Sequence, residues 1–196
     1  MREETRYRVL YFVYFAALSG FGTFRNVYLN SIDLTGFEMG VIGALITVAG
    51  TFSQPFWGLL TDWRGAQREV LILTSALAGV AVLSYPLGAR FPNPFVLIAL
   101  GTVVYSVFRA PITPIIDSLA LSTEFEYGDV RAFGSVAFGL GAFAYGVLIS
   151  GLGSSIIFYV YSLGMFVFAF LARGIKDKGV ETSLSVVEGE AVKLVK

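Results

Sequence analysis

The chain contains no cysteine and no histidine. The first absence excludes disulfides, thiol nucleophiles and thiolate metal ligands, and leaves the redox compartment unread. The second removes imidazole as a base, proton shuttle or ligand. Charge is scarce as well. Asp, Glu, Lys and Arg make up 14% of the 196 residues, where a soluble domain carries about 25%. The 14 Lys and Arg balance 14 Asp and Glu, so there is neither a basic surface for nucleic acid nor an acidic tail. No acid pair stands at helical spacing inside the apolar segments, and no serine nucleophile has a credible base. Nothing here reads as an enzyme, and no metal or cofactor is expected.

What the chain has is apolar length. Hydrophobic residues make up 56% of it. A hydrocarbon core about 30 Å thick needs roughly 20 apolar residues in helix. Six segments qualify: about Arg8 to Leu29, Phe37 to Leu60, Val70 to Leu87, Pro94 to Leu121, Ala132 to Ser150 and Ser154 to Ala172. The runs are continuous and lack the alternation of a membrane barrel. The expected fold is an all-α membrane protein with one six-helix domain over residues 1–172. Residues 173–196 form a polar, mixed-charge tail, either a free end or the start of a loop to further helices. The first apolar stretch is too long for a cleaved signal core.

Orientation follows from the basic residues. With the N-terminus in the cytoplasm, Arg2, Arg6, Arg8, Arg64, Arg68, Arg131, Arg173, Lys176 and Lys178 lie at cytoplasmic ends, and only Arg90 lies in an outer loop. Both termini are then cytoplasmic, in a cell membrane. Three helices followed by three, the second set starting from the opposite side, make two inverted repeats. A faint echo accompanies them: Phe24-Arg25 in the first span and Phe108-Arg109 in the fourth. Gly40, Gly43, Gly50 and Gly58 in the second span, and Gly134, Gly139, Gly141 and Gly146 in the fifth, suit close helix packing in lipid, either static or sliding.

The most specific segment is Gly58-Leu59-Leu60-Thr61-Asp62-Trp63-Arg64-Gly65-Ala66-Gln67-Arg68, between the second and third spans. Gly65 suits a tight turn, and Asp62 suits a charge-assisted hydrogen bond at the membrane edge. The segment resembles the signature loop of the major facilitator superfamily. Gly58, Leu59, Asp62, Gly65 and Arg68 match, and Trp63 stands where the family has its first basic residue. Two further stretches, Gln54 to Asp62 and Phe125 to Gly134, resemble the second-helix ending and fifth-helix entrance of the lactose permease group, which includes sugar, nucleoside and phenylpropionate proton symporters. The resemblance implies the N-terminal half of a secondary transporter, with a small-molecule substrate and protons as partners. The opposing wall would come from a missing six-helix half or a second copy. It also implies a sugar-binding role for Arg131 and ring stacking by Phe138. Two positions depart from the group's pattern: Asp129 replaces an arginine, and Thr113 and Pro114 stand where a sugar-binding carboxylate is expected. The other reading of such a half is an accessory or inactive membrane subunit.

Without the family, the charges still point to a pathway. Arg109 and Asp117 are eight residues apart in the fourth span, about 80° apart in azimuth and about 12 Å along the axis. Pro111 and Pro114 between them predict a kink. An arginine near mid-bilayer costs on the order of 2.5–3.5 kcal/mol, so Arg109 is expected to face a cavity or a partner. Asp117 is a candidate proton or substrate gate, or else the partner of Arg131 in a structural ion network. Tyr105 and Phe138 are candidate cavity aromatics. Arg25, one turn from its helix end, is expected to snorkel. Tyr7, Tyr28 and Tyr127 suit interfacial belts, and Glu124, Glu126 and Asp129 suit a solvated loop.

Overall fold

The computed structural model describes residues 2–123 and 125–175, without the side chains of Asp62 and Arg64. The tail beyond residue 175 and Glu124 therefore lie outside the described residues. Among those described there are eight helical segments and no strand.

Helix α1 is Glu3–Ser31, and its first turn carries Glu3 and Glu4 at the positive end of the helix dipole. A short turn through Asp33, at φ 60°, leads to α2, Gly36–Arg64. Thr35 and Glu38 close a capping box there: the Thr35 N–H donates to Glu38 Oε2 at 2.8 Å, and the Glu38 N–H donates to Thr35 Oγ1 at 3.3 Å. Gly65, left-handed at φ 59°, ends α2 and turns the chain into α3, Gln67–Ala81. The third span continues through a turn into α4, Ser84–Gly88. The fourth span is two helices, α5, Pro94–Arg109, and α6, Ile112–Leu121. Pro94 opens α5 at a position where a missing N–H costs nothing. Helices α7, Tyr127–Leu152, and α8, Ile156–Ala172, form the last two spans. The third and fourth spans, counted whole, join α2 and α7 as the segments long and apolar enough to cross a membrane.

The spans pack by exchange. The first, α1, lies against the fifth and sixth, α7 and α8. The fourth, α5–α6, lies against the second and third, α2 and α3–α4. The third meets the sixth. Swapping first for fourth, second for fifth and third for sixth leaves this pattern unchanged, as inverted repeats require. The register is visible in side chains. Phe21 of α1 and Tyr105 of α5 meet with ring centroids 4.6 Å apart. Ala17 sits under Gly164, where an added Cβ would lie 2.7 Å from its own Cβ, and Gly101 sits under Ser84 in the same close way. Ala17 and Gly101, Phe21 and Tyr105, and Arg25 and Arg109 are each separated by 84 residues.

The core explains why α1 is less apolar than the other long spans. One face of that helix is enclosed by α7 and α8, while Phe12, Thr23, Asn26 and Val27 stay exposed. Tyr7, Tyr14, Phe21 and Tyr28, seven residues apart, form a buried stripe along it with Tyr11 beside them. Tyr7 and Tyr28 are therefore not belt residues: they are 2% and 3% exposed, Tyr7 against Phe125 and Tyr28 against Phe158. The most exposed apolar side chains stand on α2 and α7, where Phe52 is 81% and Phe143 76% exposed, and α5 and α8 add Leu100 and Phe170 to the outward surface. The glycines divide accordingly. Gly134 and Gly141 of α7 admit α1, whereas a Cβ on Gly40, Gly58 or Gly139 would touch nothing within 4 Å.

Candidate functional site: a polar track between the first and fourth spans

The α5–α6 break sets the geometry. Pro111 has no N–H to give the carbonyl of Val107, four residues earlier. Trp57 of α2 supplies the missing donor, its Nε1–H lying 2.8 Å from the Val107 oxygen, with the Ser53 hydroxyl at 3.4 Å. Below the break, α6 packs on α3, and a recess of about 210 Å³ opens beside α2, lined by Gln54, Trp57, Thr61, Pro114 and Ser118 among others. Trp57→Phe should cost about 0.5–1.5 kcal/mol, the usual net worth of one hydrogen bond, since the Ser53 hydroxyl remains beside the carbonyl. The cost should shrink in a Pro111→Ala background, where residue 111 regains its own N–H. Unfolding of the four proteins in mixed micelles measures this, and equal costs in both backgrounds would refute the latch.

Along α6 and the end of α5, polar side chains meet α1 and its neighbours in order. Closest to the end bearing Arg6 and Arg173, the Tyr11 hydroxyl donates to Asp117 Oδ1. Tyr127 approaches the same carboxylate. Arg131 does not pair with it. Its guanidinium stacks 4.3 Å over the Phe15 ring and 6.0 Å from that of Tyr11. Among the described residues the ion pairs are Arg8 with Glu4 and Arg68 with Glu69. The ion network expected between Asp117 and Arg131 is thus replaced by phenols around the acid and a ring under the base.

One turn further into the bundle, the Thr113 hydroxyl donates to the Tyr14 hydroxyl at 3.1 Å. Arg109 follows, as the last residue of α5, flanked by Tyr14, Tyr105 and Tyr161. It is partly buried, and its Nε is fully buried without a hydrogen-bond partner. Tyr105 is wholly enclosed by Phe21 and Tyr161, so it stands behind Arg109 instead of lining open space. Phe138 lies against α1 at Gly22. Arg25 does not reach for an interface alone. It lies 5.7 Å over Phe21, bonds Asn26 at 3.1 Å, and approaches α2 at Gly43. Of the signature segment, Gly58 is open, Gly65 makes the turn, and Arg68 binds Glu69 and the Ile175 carbonyl. Asp129 and Glu126 are exposed.

Residue-by-residue reading passes over Tyr11, Tyr14, Tyr161 and Trp57. The seven-residue aromatic spacing in α1 was the available signal for Tyr14. For Trp57 the signal was Pro111, which announces an orphaned carbonyl but not its partner.

The sequence matches the MFS_1 like family over residues 4–194. It is 28% identical to an uncharacterized transporter of Bacillus subtilis, covering 90% of this chain and 47% of that protein. It is 30% identical to a maltose permease of Geobacillus stearothermophilus, covering 87% of this chain and 43% of the permease. It is also 30% identical to a probable 3-phenylpropionic acid transporter of Escherichia coli, covering 83% and 43%. The chain therefore spans less than half the length of these relatives. Six helical spans packed as two inverted triplets, with an apolar exterior, are what that match requires of a multi-pass membrane protein. The chain belongs to the MFS_1 like family of the major facilitator superfamily and matches the N-terminal half of its members.

Proposed function

We propose that this chain forms one wall of a proton-coupled symporter of a small organic solute (a sugar, a nucleoside or an aromatic acid) in the cell membrane, with its N-terminus and tail in the cytoplasm. The observation that carries the reading is the polar track. Asp117, Thr113 and Arg109 run along the fourth span toward mid-bilayer, and Asp117 and Arg109 have no ion-pair partner among the described residues. Charged groups inside a membrane bundle mark substrate and proton paths. Transporters built from inverted repeats place their substrate and ion sites near the bilayer midplane at the repeat interface.

In this scheme Arg109 and Arg131 contact the solute, Phe138 offers a ring face, and Tyr105 holds Arg109 from behind. Asp117 carries the proton. The opposing wall is a second six-helix half, which would cover the apolar faces of α2 and α7. The basic residues gathered at the end where α1 begins support a cytoplasmic placement of that end. Two relatives, one for maltose and one for 3-phenylpropionic acid, support organic solutes as cargo.

The test is uptake in proteoliposomes by the chain assembled with the half that completes it. A panel of labelled maltose, a nucleoside and 3-phenylpropionate is offered with and without an inward proton gradient. Accumulation of one solute only under the gradient is the expected result. Downhill equilibration unaffected by the gradient would remove proton coupling, and no uptake of any solute would favour an accessory subunit.

A further inference from the structure

Among the described residues, Arg109 stands among neutral phenols with no anion beside it. Its neighbours are the phenols of Tyr14, Tyr105 and Tyr161. Tyr14 already receives the Thr113 hydroxyl at 3.1 Å. The hydroxyls of Tyr105 and Tyr161 lie near each other, their rings 5.7 Å apart, yet neither finds a hydrogen-bond partner of good geometry. The Arg109 Nε is buried and equally unpartnered. No carboxylate lies within ion-pair distance among the described residues, and Asp117 is engaged by Tyr11 two turns away. The region thus holds one positive charge, three neutral phenols and, among the described residues, no negative charge within ion-pair distance.

A cation in a low-dielectric bundle is costly unless paired, and unmatched buried donors add to the cost. Arginine suits a planar, bidentate anion better than any other side chain. The same arrangement occurs twice. Arg25, the inverted-repeat counterpart, also follows an aromatic residue one turn earlier, Phe21, which packs on Tyr85 of the third span as Tyr105 packs on Tyr161 of the sixth. Arg25 differs in one respect, because Asn26 gives it an acceptor. Only Arg109 is left with phenols alone.

We infer that Arg109, held from behind by Tyr14, Tyr105 and Tyr161, is the binding point for the anionic group of the transported solute, so that the cargo is an organic carboxylate and not a neutral sugar or nucleoside. This rests on the transporter reading above and narrows it. The carboxylate takes the place of the missing counter-ion: its two oxygens accept from the guanidinium. A neutral hydroxylated solute offers no charge there and leaves the arginine unpaired.

All four side chains belong to this chain, so binding is measurable on the purified chain in detergent at constant ionic strength. The readout is the thermal shift given by matched pairs: 3-phenylpropionate against its amide, benzoate against benzamide, and gluconate against glucose, with maltose as a neutral reference. The expected result is that at least one carboxylate stabilises the protein above its neutral twin. Arg109→Gln should abolish that difference, and Arg109→Lys should retain part of it. A second measurement separates binding from structural support. Without ligand, Arg109→Gln should melt no lower than the parent, because it removes an unpaired charge, whereas loss of a structural ion pair would lower the melting point. The proposal is overturned if no carboxylate exceeds its neutral twin, if the preference survives Arg109→Gln, or if Arg109→Gln melts well below the parent. Stabilisation by maltose alone, equal in parent and Arg109→Gln, would sink the anion site while leaving the transporter reading in place.

Discussion

Gly141→Leu is expected to prevent the six-helix bundle from forming, while Gly139→Leu, two residues away on the same helix, leaves it intact. A Cβ at position 141 would lie 2.3 Å from Ser19 Oγ, 3.0 Å from the Ala16 carbonyl oxygen and 3.2 Å from the Ala16 Cα. The last two are backbone atoms of α1 and cannot rotate away. Relief requires α1 and α7 to separate. Overpacking a closed contact costs about 1–3 kcal/mol when side chains can adjust, and more when they cannot. In lipid there is no compensating hydrophobic drive between the helices, since their association rests on close packing. A Cβ at Gly139 meets nothing within 4 Å. Size-exclusion profiles and thermal unfolding of the two variants measure the contrast. Equal behaviour would mean that α1 and α7 do not approach as closely as described.

That contrast also shows how far the sequence could be read. Six spans, their helical nature and the short turns between most of them follow from apolar length and turn residues, because lipid allows few alternatives. The kink at Pro111 follows from the missing N–H. Which glycine faces a neighbour does not follow. Gly139 and Gly141 look alike in a list of small residues, and only the azimuth of α7 against α1 separates them. The exchange packing was equally hidden. The inverted echo of Phe24-Arg25 and Phe108-Arg109 marks the two repeats. It carries no information that the first helix of each repeat leaves its own triplet and packs into the other.

The site was legible in its charges and illegible in their partners. Arg109 and Asp117 stand out because charge inside an apolar run is expensive. The natural guess, opposite charges pairing as Asp117 with Arg131, fails because α1 places Tyr11 and Phe15 between α6 and α7. Tyr11 donates to the acid and Phe15 lies under the base. A phenol can satisfy a carboxylate at lower desolvation cost than a second full charge. Tyrosines in an apolar helix are ambiguous in sequence, since the same residue serves as belt, core or hydrogen-bond donor. The stripe from Tyr7 to Tyr28 proves to be core, with Tyr11 and Tyr14 turned to donors and acceptors along the track.

The partnership of Asp117 with neutral phenols gives Asp117→Asn its expected outcome. Asparagine keeps an oxygen for the Tyr11 hydroxyl and nearly the same volume, so the link between α1 and α6 survives. It cannot gain or lose a proton. A proton gradient of one pH unit is worth about 1.4 kcal/mol, or about tenfold accumulation for one proton per solute. In the chain assembled with its second half, the parent should therefore accumulate solute by about that factor per unit of gradient, and Asp117→Asn should only equilibrate it. Exchange of labelled for unlabelled solute, which needs no net proton movement, should continue in the variant. Tyr11→Phe provides the complementary test: the carboxyl group is kept but loses its tie to α1, so gradient-driven accumulation persists while the rate changes. Gradient-dependent accumulation that survives Asp117→Asn would place the proton on another group. Loss of exchange as well as accumulation would make Asp117 a residue of the substrate path and not of the coupling step. Either result is separable from misfolding, because Asp117→Asn preserves the acceptor that Tyr11 requires and should elute and melt as the parent does.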